Sequence, residues 1–400
     1  MCGRQVCLYR FTTKRTTRAS FGCAFSANVS AQREQLDLAT FGIPFPSPPP
    51  FNLLNGSMAV SYALDLFGAN RRLVEGLNAQ VAYERWQLQA ARLMLAGNVV
   101  SAAIRQAQLR SQIDITGQML ELQEKELNIA ERRYQAGGIS EYDVRSQRTL
   151  VAQTRSELPS LEQQLDVINH QLAVLMGKPP AEAHVASINL DGLNLPQELP
   201  LSLPSLLVRQ RPDIRAAESL LHQASANVGV ATANLYPQII LSGSGGGIGT
   251  SLTNGGDIWN FGASLAQPIF NGGALRAEKR KTVAAYQEAG SVYRQTVLQA
   301  FREVADSLQA IQHDAQILQA RTEAATQAEA SYQIASQRYS AGGISQLVLL
   351  DAQRQQLQTT LDRTISVASR YSDSATLLQA LGGGWWNDAL PGATGSHIPR

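Results

Sequence analysis

Cysteine is scarce in this chain and confined to one end: Cys2, Cys7 and Cys23 are the only three, so everything after residue 23 lacks a thiol. That excludes a disulfide framework, and the C-x₄-C spacing of Cys2 and Cys7 lacks the ligand pattern of a zinc site. Aromatic residues are few at 6% and charged residues at 16%, which argues against a compact, aromatic-rich core. An excess of one charge is missing too. The net charge is +2 with acids and bases interspersed, so there is no basic stripe for a phosphate backbone, and nucleic acid is excluded as a partner. No apolar run approaches the roughly 18–20 residues of a transmembrane helix. The N-terminal MCGRQVCLYRFTTKRTTR is basic, but no apolar core or small-residue cleavage site follows it, so it does not read as a signal peptide.

Motifs of catalysis and cofactor binding are missing as well. His170, His184, His222, His313 and His397 are scattered, without HExxH spacing or an acid cluster around them, and read as surface or packing residues. The glycine run from Gly243 follows a strand pattern, but it lacks the G-x-G-x-x-G register and a following helix. Gly177-Lys178 is followed by proline and has no upstream glycine of a P-loop. We expect no enzyme, no metal site and no cofactor.

What is present is an excess of Ala, Gln, Leu and Ser, a mixture that favours long helices of modest hydrophobicity. Proline-free, helix-favouring runs cover about 69–134 and 273–339, each long enough to extend roughly 100 Å as a helix. Each run ends in the same phrase: IAERRYQAGGIS at 129–140 and IASQRYSAGGIS at 334–345 agree at nine of twelve positions. Paired glycines cost about 1 kcal/mol each inside a helix and adopt positive φ readily, so each phrase predicts a helix-to-helix reversal. In the first return helix Leu158, Leu161, Leu165, Ile168, Leu172 and Leu175 step by three and four, the spacing of a coiled-coil seam, until Gly177-Lys178-Pro179-Pro180 stops it. A proline-rich segment, 178–211, joins the halves, and Pro212 and Asp213 then open a helix that runs to 236.

Strand patterns precede each long helix. Phe21, Cys23, Phe25, Ala27 and Val29 alternate with small or polar residues over 21–29, as do Met58, Val60, Tyr62 and Leu64 over 57–65. The loop between them contains PFPSPPP. Two further strands start at 237 and at 259, where Trp259, Phe261, Ala263 and Leu265 alternate with Asn260, Gly262, Ser264 and Ala266, and TNGGD reads as their connection. The chain is thus an internal two-fold repeat, with one hairpin of strands in each half. Alternation alone fits hairpins packed on a soluble core. It equally fits a membrane barrel with apolar residues toward lipid, in which three chains supply twelve strands. The pairing of each hairpin with so long a helix favours the barrel.

RPDIRAAE at 211–218, ANLYPQIILSGSGG at 233–246, the duplicated RYxAGGIS, LDLFG at 64–68 and ALGGGWW at 380–386 resemble outer-membrane efflux proteins of the TolC-like type, in particular the NodT subgroup of resistance-nodulation-division systems. The resemblance runs from about Ala19 to Trp386. It implies a mainly α protein with a small β part. Long helical hairpins would form a trimeric periplasmic tunnel, and four strands per subunit would join a twelve-stranded β-barrel in the outer membrane. Implied partners are two further copies, a periplasmic adaptor protein, an inner-membrane pump and outer-membrane lipids. The implied cargo is drugs or other small molecules, with metal-ion efflux, type I protein secretion and a soluble coiled-coil scaffold as the alternatives.

Site residues follow by position. The tips Ala136, Gly137, Gly138, Ile139, Ser140 and Ala341, Gly342, Gly343, Ile344, Ser345 are similar to the family's adaptor-contacting turns. Asp143 lies nine positions after Tyr134, where the family holds an aspartate that bonds the second tyrosine, here Tyr339, and Leu347 and Asp351 match a hydrophobic ring and a carboxylate ring at the constriction. Some members carry a basic residue where this chain has Ile344. Phe21, Phe25, Val60, Tyr62, Trp259, Phe261 and Leu265 are the expected lipid-facing positions. The implied divisions are an atypical segment 1–18; a β-hairpin 19–66; a helical hairpin 67–177 with its tip at 136–140; a linker 178–211; a helix 212–236; a β-hairpin 237–270; a helical hairpin 271–381 with its tip at 341–345; and a tail 382–400. Family members begin with a signal peptide, often a lipid-modified cysteine, and helices before the first strand. Cys2 has no lipobox, and residues 1–18 bear no such likeness, so we expect a truncated or mis-started member.

Overall fold

A computed structural model describes residues 24–35, 49–182, 186–192, 210–251 and 254–383. Phe21, the three cysteines, His184, His397, segment 1–18, most of the linker and Trp385-Trp386 lie outside the described residues.

Among the described residues four strands and five helices follow the repeated order. They are β1 (Ala24–Glu34), β2 (Phe51–Leu64), α1 (Ala69–Gln135), α2 (Glu141–Leu175), α3 (Pro212–Ala233), β3 (Gln238–Ser251), β4 (Asn254–Ala266), α4 (Ala274–Ser340) and α5 (Gln346–Ala380). Short 3₁₀ turns at Pro180–Glu182 and Leu190–Gly192 interrupt the linker. The two halves match closely: α1 and α4 are each 67 residues, and α2 and α5 are each 35. Among the described residues no helix is long and apolar enough to cross a membrane.

The helix ends share one chemistry. At the close of α1, Gly137 N–H bonds to Tyr134 O and Gly138 N–H to Arg133 O; at the close of α4, Gly342 and Gly343 repeat these bonds to Tyr339 O and Arg338 O. Gly137 and Gly342 both hold φ +74°, a left-handed conformation that glycine adopts without Cβ strain, and the paired bonds satisfy orphan carbonyls of the last turn. Gly177 closes α2 the same way, with φ +74° and bonds from Gly177 and Lys178 to Val174 O and Ala173 O. In α2, Leu158, Leu161, Leu165, Ile168 and Leu175 are half-buried and Leu172 is buried, as the seam pattern predicts.

The strands are longer than their alternation indicated. β1 continues to Glu34, and β2 begins at Phe51 directly after the prolines, because Phe51–Asn55 pairs with Ser30–Glu34. β4 begins at Asn254, so NGGD is strand and not connection: Gly255 and Gly256 pair with Gly249 and Ile248. It ends at Ala266, short of Pro268, whose missing N–H cannot join a ladder. The sheet order is β1-β2-β3-β4, antiparallel throughout, so the two hairpins are joined through β2 and β3.

The chain divides into two units, one holding residues to Leu88 with Pro212–Thr296, the other Gln89–Arg211 with the residues from Val297. In the first, α3 packs largely through small residues: Ala216, Ala217, Ala226, Ala231 and Ala233 are buried along its length, together with Ile214. A Cβ at Gly76 would already touch the Ala226 methyl at 3.5 Å, so glycine on α1 admits close helix contact. Phe67 and Tyr236, which flank β2 and β3, stack at 4.7 Å. In the second unit, Ile104, Ala107, Leu190 and Ala368 form one cluster, and Met119, Leu122, Leu350 and Leu357 another, joining α1 to α5. Buried Arg211 donates to the Ala380 carbonyl at the end of α5 and to Glu303 on α4, at 2.9 and 2.8 Å. That gives the arginine of RPDIRAAE a capping and anchoring task.

Candidate functional site

The two reversals carry the same phrase but are built differently. After the first, Ser140 caps α2 in a reciprocal box: Asp143 N–H donates to Ser140 Oγ at 3.3 Å, and Ser140 N–H donates to Asp143 Oδ2 at 3.0 Å. The Ser140 hydroxyl also meets Oδ2, at 2.8 Å. This satisfies orphan donors of the first turn, and a carboxylate there suits the positive helix end. After the second, Ser345 begins α5 with no side-chain cap bond, and Val348, standing where Asp143 stands in the first, has no carboxylate to complete a reciprocal box. Gly137 and Gly342 have open space around them; Ala136, Gly138 and Ser140 in the first tip, like Ala341, Gly343 and Ser345 in the second, are exposed, while Ile139 and Ile344 are half-buried.

The four expected gate residues all belong to the second unit. Among the described residues the hydrogen bonds that hold the Asp143 carboxylate come from Ser140 in its own turn. Tyr339 is 39% exposed and Leu347 44%. Asp351 is paired: Arg354 Nη2, one turn along α5, meets its Oδ1 at 2.5 Å.

Three residues near this end of α5 escaped the sequence reading. Glu126 on α1 is buried, and its Oε2 accepts from Gln147 Nε2 of α2 at 2.8 Å. Burial, the largest influence, raises the Glu126 carboxyl above the ordinary carboxylate range; the Gln147 bond and the charge of Arg354 oppose the rise, and Asp351 adds to it. Arg354, at i+3 from Asp351, was legible as a helical ion pair. Glu126 and Gln147 were not, since only tertiary packing brings α1, α2 and α5 together. Farther along α4, burial first and the facing Asp373 second push the Asp314 carboxyl up to about 6, with Arg370 and His313 offsetting part of the rise. His222 is a surface residue paired with Glu75 at 2.9 Å, in line with the surface reading of the histidines.

The sheet register sorts its two faces. Cross-strand rows run Phe25–Val60–Gly243–Phe261, Ala27–Met58–Gly245–Trp259 and Leu64–Ile239–Leu265, so the aromatic residues of β1 and β4 share one face with Met58, Val60, Leu64 and Leu265. The opposite face presents rows such as Ser26–Ala59–Ser244–Asn260 and is mostly small and polar in the middle of the sheet, with Phe51, Leu53, Ile240, Ile248 and Ile258 toward its ends. The apolar side chains are bare: Phe25 and Trp259 are 82% exposed, Phe261 78% and Leu265 64%, with Tyr62 at 40%. Val60 is half-buried because it leans over Gly243, where a Cβ would sit 3.4 Å from Val60 Cγ1 and 3.5 Å from Phe261 Cδ2. An exposed apolar face of this extent, backed by a small and polar one, fits a sheet bathed in lipid on one side and water on the other.

Known proteins share this architecture. The outer-membrane channel OprN matches with a TM-score of 0.83 at 28% identity, over 95% of this chain and 87% of that one. A four-stranded antiparallel sheet on duplicated helical hairpins is therefore the fold of TolC-like outer-membrane channels. The sequence model described as outer membrane efflux protein matches residues 13–178 and 203–383, and the chain belongs to that family. Pyoverdine export outer membrane protein OpmQ of Pseudomonas aeruginosa is 35% identical over 341 residues, 84% of this chain and 71% of OpmQ. Nodulation protein T of Rhizobium leguminosarum bv. trifolii is 29% identical over 371 residues, 90% of this chain and 76% of its own length, in keeping with the NodT likeness.

Proposed function

We propose that the chain is the channel subunit of a tripartite efflux system, exporting small organic molecules across the periplasm and outer membrane as a homotrimer. One observation carries the reading: the register gathers Phe25, Met58, Val60, Tyr62, Trp259, Phe261 and Leu265, from three strands, on a single largely exposed face. A lone sheet of this kind would leave β1 and β4 with unpaired edges, a liability that closure removes. Three copies joined β4 to β1 make a twelve-stranded barrel without edges, its apolar face toward lipid. Relatives named for pyoverdine export and for toluene efflux in Pseudomonas support a small-molecule cargo. A strain deleted for the gene should accumulate an amphipathic fluorescent dye, and restoring the chain should lower the dye to the parental level. Equal accumulation with and without the chain would overturn the reading.

Within this reading the Ala136–Ser140 and Ala341–Ser345 tips meet a periplasmic adaptor that links the channel to an inner-membrane pump. Leu347 and Asp351 form apolar and carboxylate rings at the constriction, the second favouring cations. Tyr339 bonds Asp143 in the closed state. Since Asp143 also caps α2, the test needs a control. Tyr339→Phe with Asp143→Ala should raise resting conductance in planar bilayers, while Ser140→Ala, which loses the cap alone, should not. Unchanged conductance in the double variant would remove the Tyr339 bond from the gate.

A further inference from the structure

Glu126 has no task in the reading above, yet its setting is unusual for a carboxylate. It is 5% exposed, one turn beyond buried Leu122, in the layer where Met119 and Leu122 of α1 pack on Leu350 and Leu357 of α5. Arg354 and Asp351 lie on α5 between those two leucines. The only side-chain donor on the Glu126 carboxylate among the described hydrogen bonds is the neutral amide of Gln147, on Oε2. A buried carboxylate held by a single neutral donor is poorly compensated for its lost hydration. The charged groups that act on it both come from α5: Arg354, which favours its ionised form, and Asp351, which opposes it. Two carboxylates thus share one guanidinium, and in the structure that guanidinium sits on Asp351 at 2.5 Å.

We propose that Glu126 is a positioning residue for the constriction: its carboxylate competes with that of Asp351 for Arg354, and so sets how much of the Asp351 charge the channel presents to passing ions. This rests on the reading of Asp351 as lining the constriction. When Glu126 is neutral, Arg354 stays on Asp351 and screens it. When Glu126 is ionised, it draws the guanidinium inward, which the planar fork with five donors permits, and Asp351 is uncovered. Protons therefore move from solvent to Glu126 as pH falls, and cation preference falls with them. Because burial raises the Glu126 carboxyl above its usual 4.5, the change comes at higher pH than the ordinary titration of an exposed aspartate.

The test uses the full chain in planar bilayers, with the potassium-to-chloride permeability ratio read from reversal potentials at about pH 5.5 and about pH 8. The wild type should lose cation preference by about two-fold or more on going to the lower pH. Glu126→Gln should hold the low ratio at both pH values, Glu126→Asp should keep the pH dependence, and Arg354→Gln should give a high ratio at pH 8 that no longer depends on residue 126. A Glu126→Gln channel with the wild-type ratio and pH dependence overturns the proposal. So does an Arg354→Gln channel indistinguishable from wild type, which keeps the test decisive should the position 126 variant fail to assemble. Asp351→Asn separates the two layers. If it leaves the ratio unchanged, the constriction reading fails; if it lowers the ratio while Glu126→Gln stays wild-type, the Glu126 inference alone fails.

Discussion

Glycine carries the closest tolerances in the sheet. Gly246 lies on the polar face, where a Cβ would run into the Gly56 carbonyl and stand 2.6 Å from Ser57 Cα, so β2 and β3 approach each other only because that position has no side chain. One residue earlier, on the apolar face, a Cβ at Gly245 meets nothing within 4 Å. Gly246→Val should therefore destabilise the sheet by about 3 kcal/mol or more, whereas Gly245→Ala should stay within about 1 kcal/mol. Denaturant unfolding followed by the β signal in circular dichroism measures both; equal effects would contradict the packing. The sequence reading set this run in a strand pattern, and its glycine content was visible. Which glycine is obligatory was not, because the answer lies in the pairing of β3 with a strand nearly two hundred residues away.

At the scale of elements, the duplicated phrase makes two turns with one backbone and two different starts. Ser140→Ala breaks a reciprocal cap and should cost about 1 kcal/mol of local stability, while Ser345→Ala removes no side-chain bond and should change local stability by a few tenths. Hydrogen exchange at the amides of the first turns of α2 and α5 would read both, and equal changes would contradict the asymmetry. The helices were legible almost to the residue: 69–134 and 273–339 became Ala69–Gln135 and Ala274–Ser340, since Gly-Gly and proline punctuate runs free of breakers. The strands were not. Phe51–Gly56 and Asn254–Ile258 read as loop because proline and glycine flank or fill them, and only cross-strand pairing makes them strand. The cap had a local signature, serine followed three residues later by aspartate, that marks the first tip and is missing from the second.

For the whole molecule, the family is established by a match spanning both halves, and the apolar sheet face and the paired tips are the parts of the fold on which the proposed transport role rests. Duplication was readable because both halves retain the phrase, and the proposed closure into a barrel answers needs that one chain cannot meet: a sheet with bare edges and a bare apolar face. The proposed gate pairing of Tyr339 with Asp143 rests on likeness alone, and the Glu126 cluster was not legible at all, since it depends on side chains from three helices. The central claim, that three copies close one channel, is tested most directly by purifying the full chain in detergent, measuring its mass and recording it in planar bilayers. The account predicts a trimer that gives discrete, cation-preferring conductance steps. A monomer that inserts without conductance would contradict it.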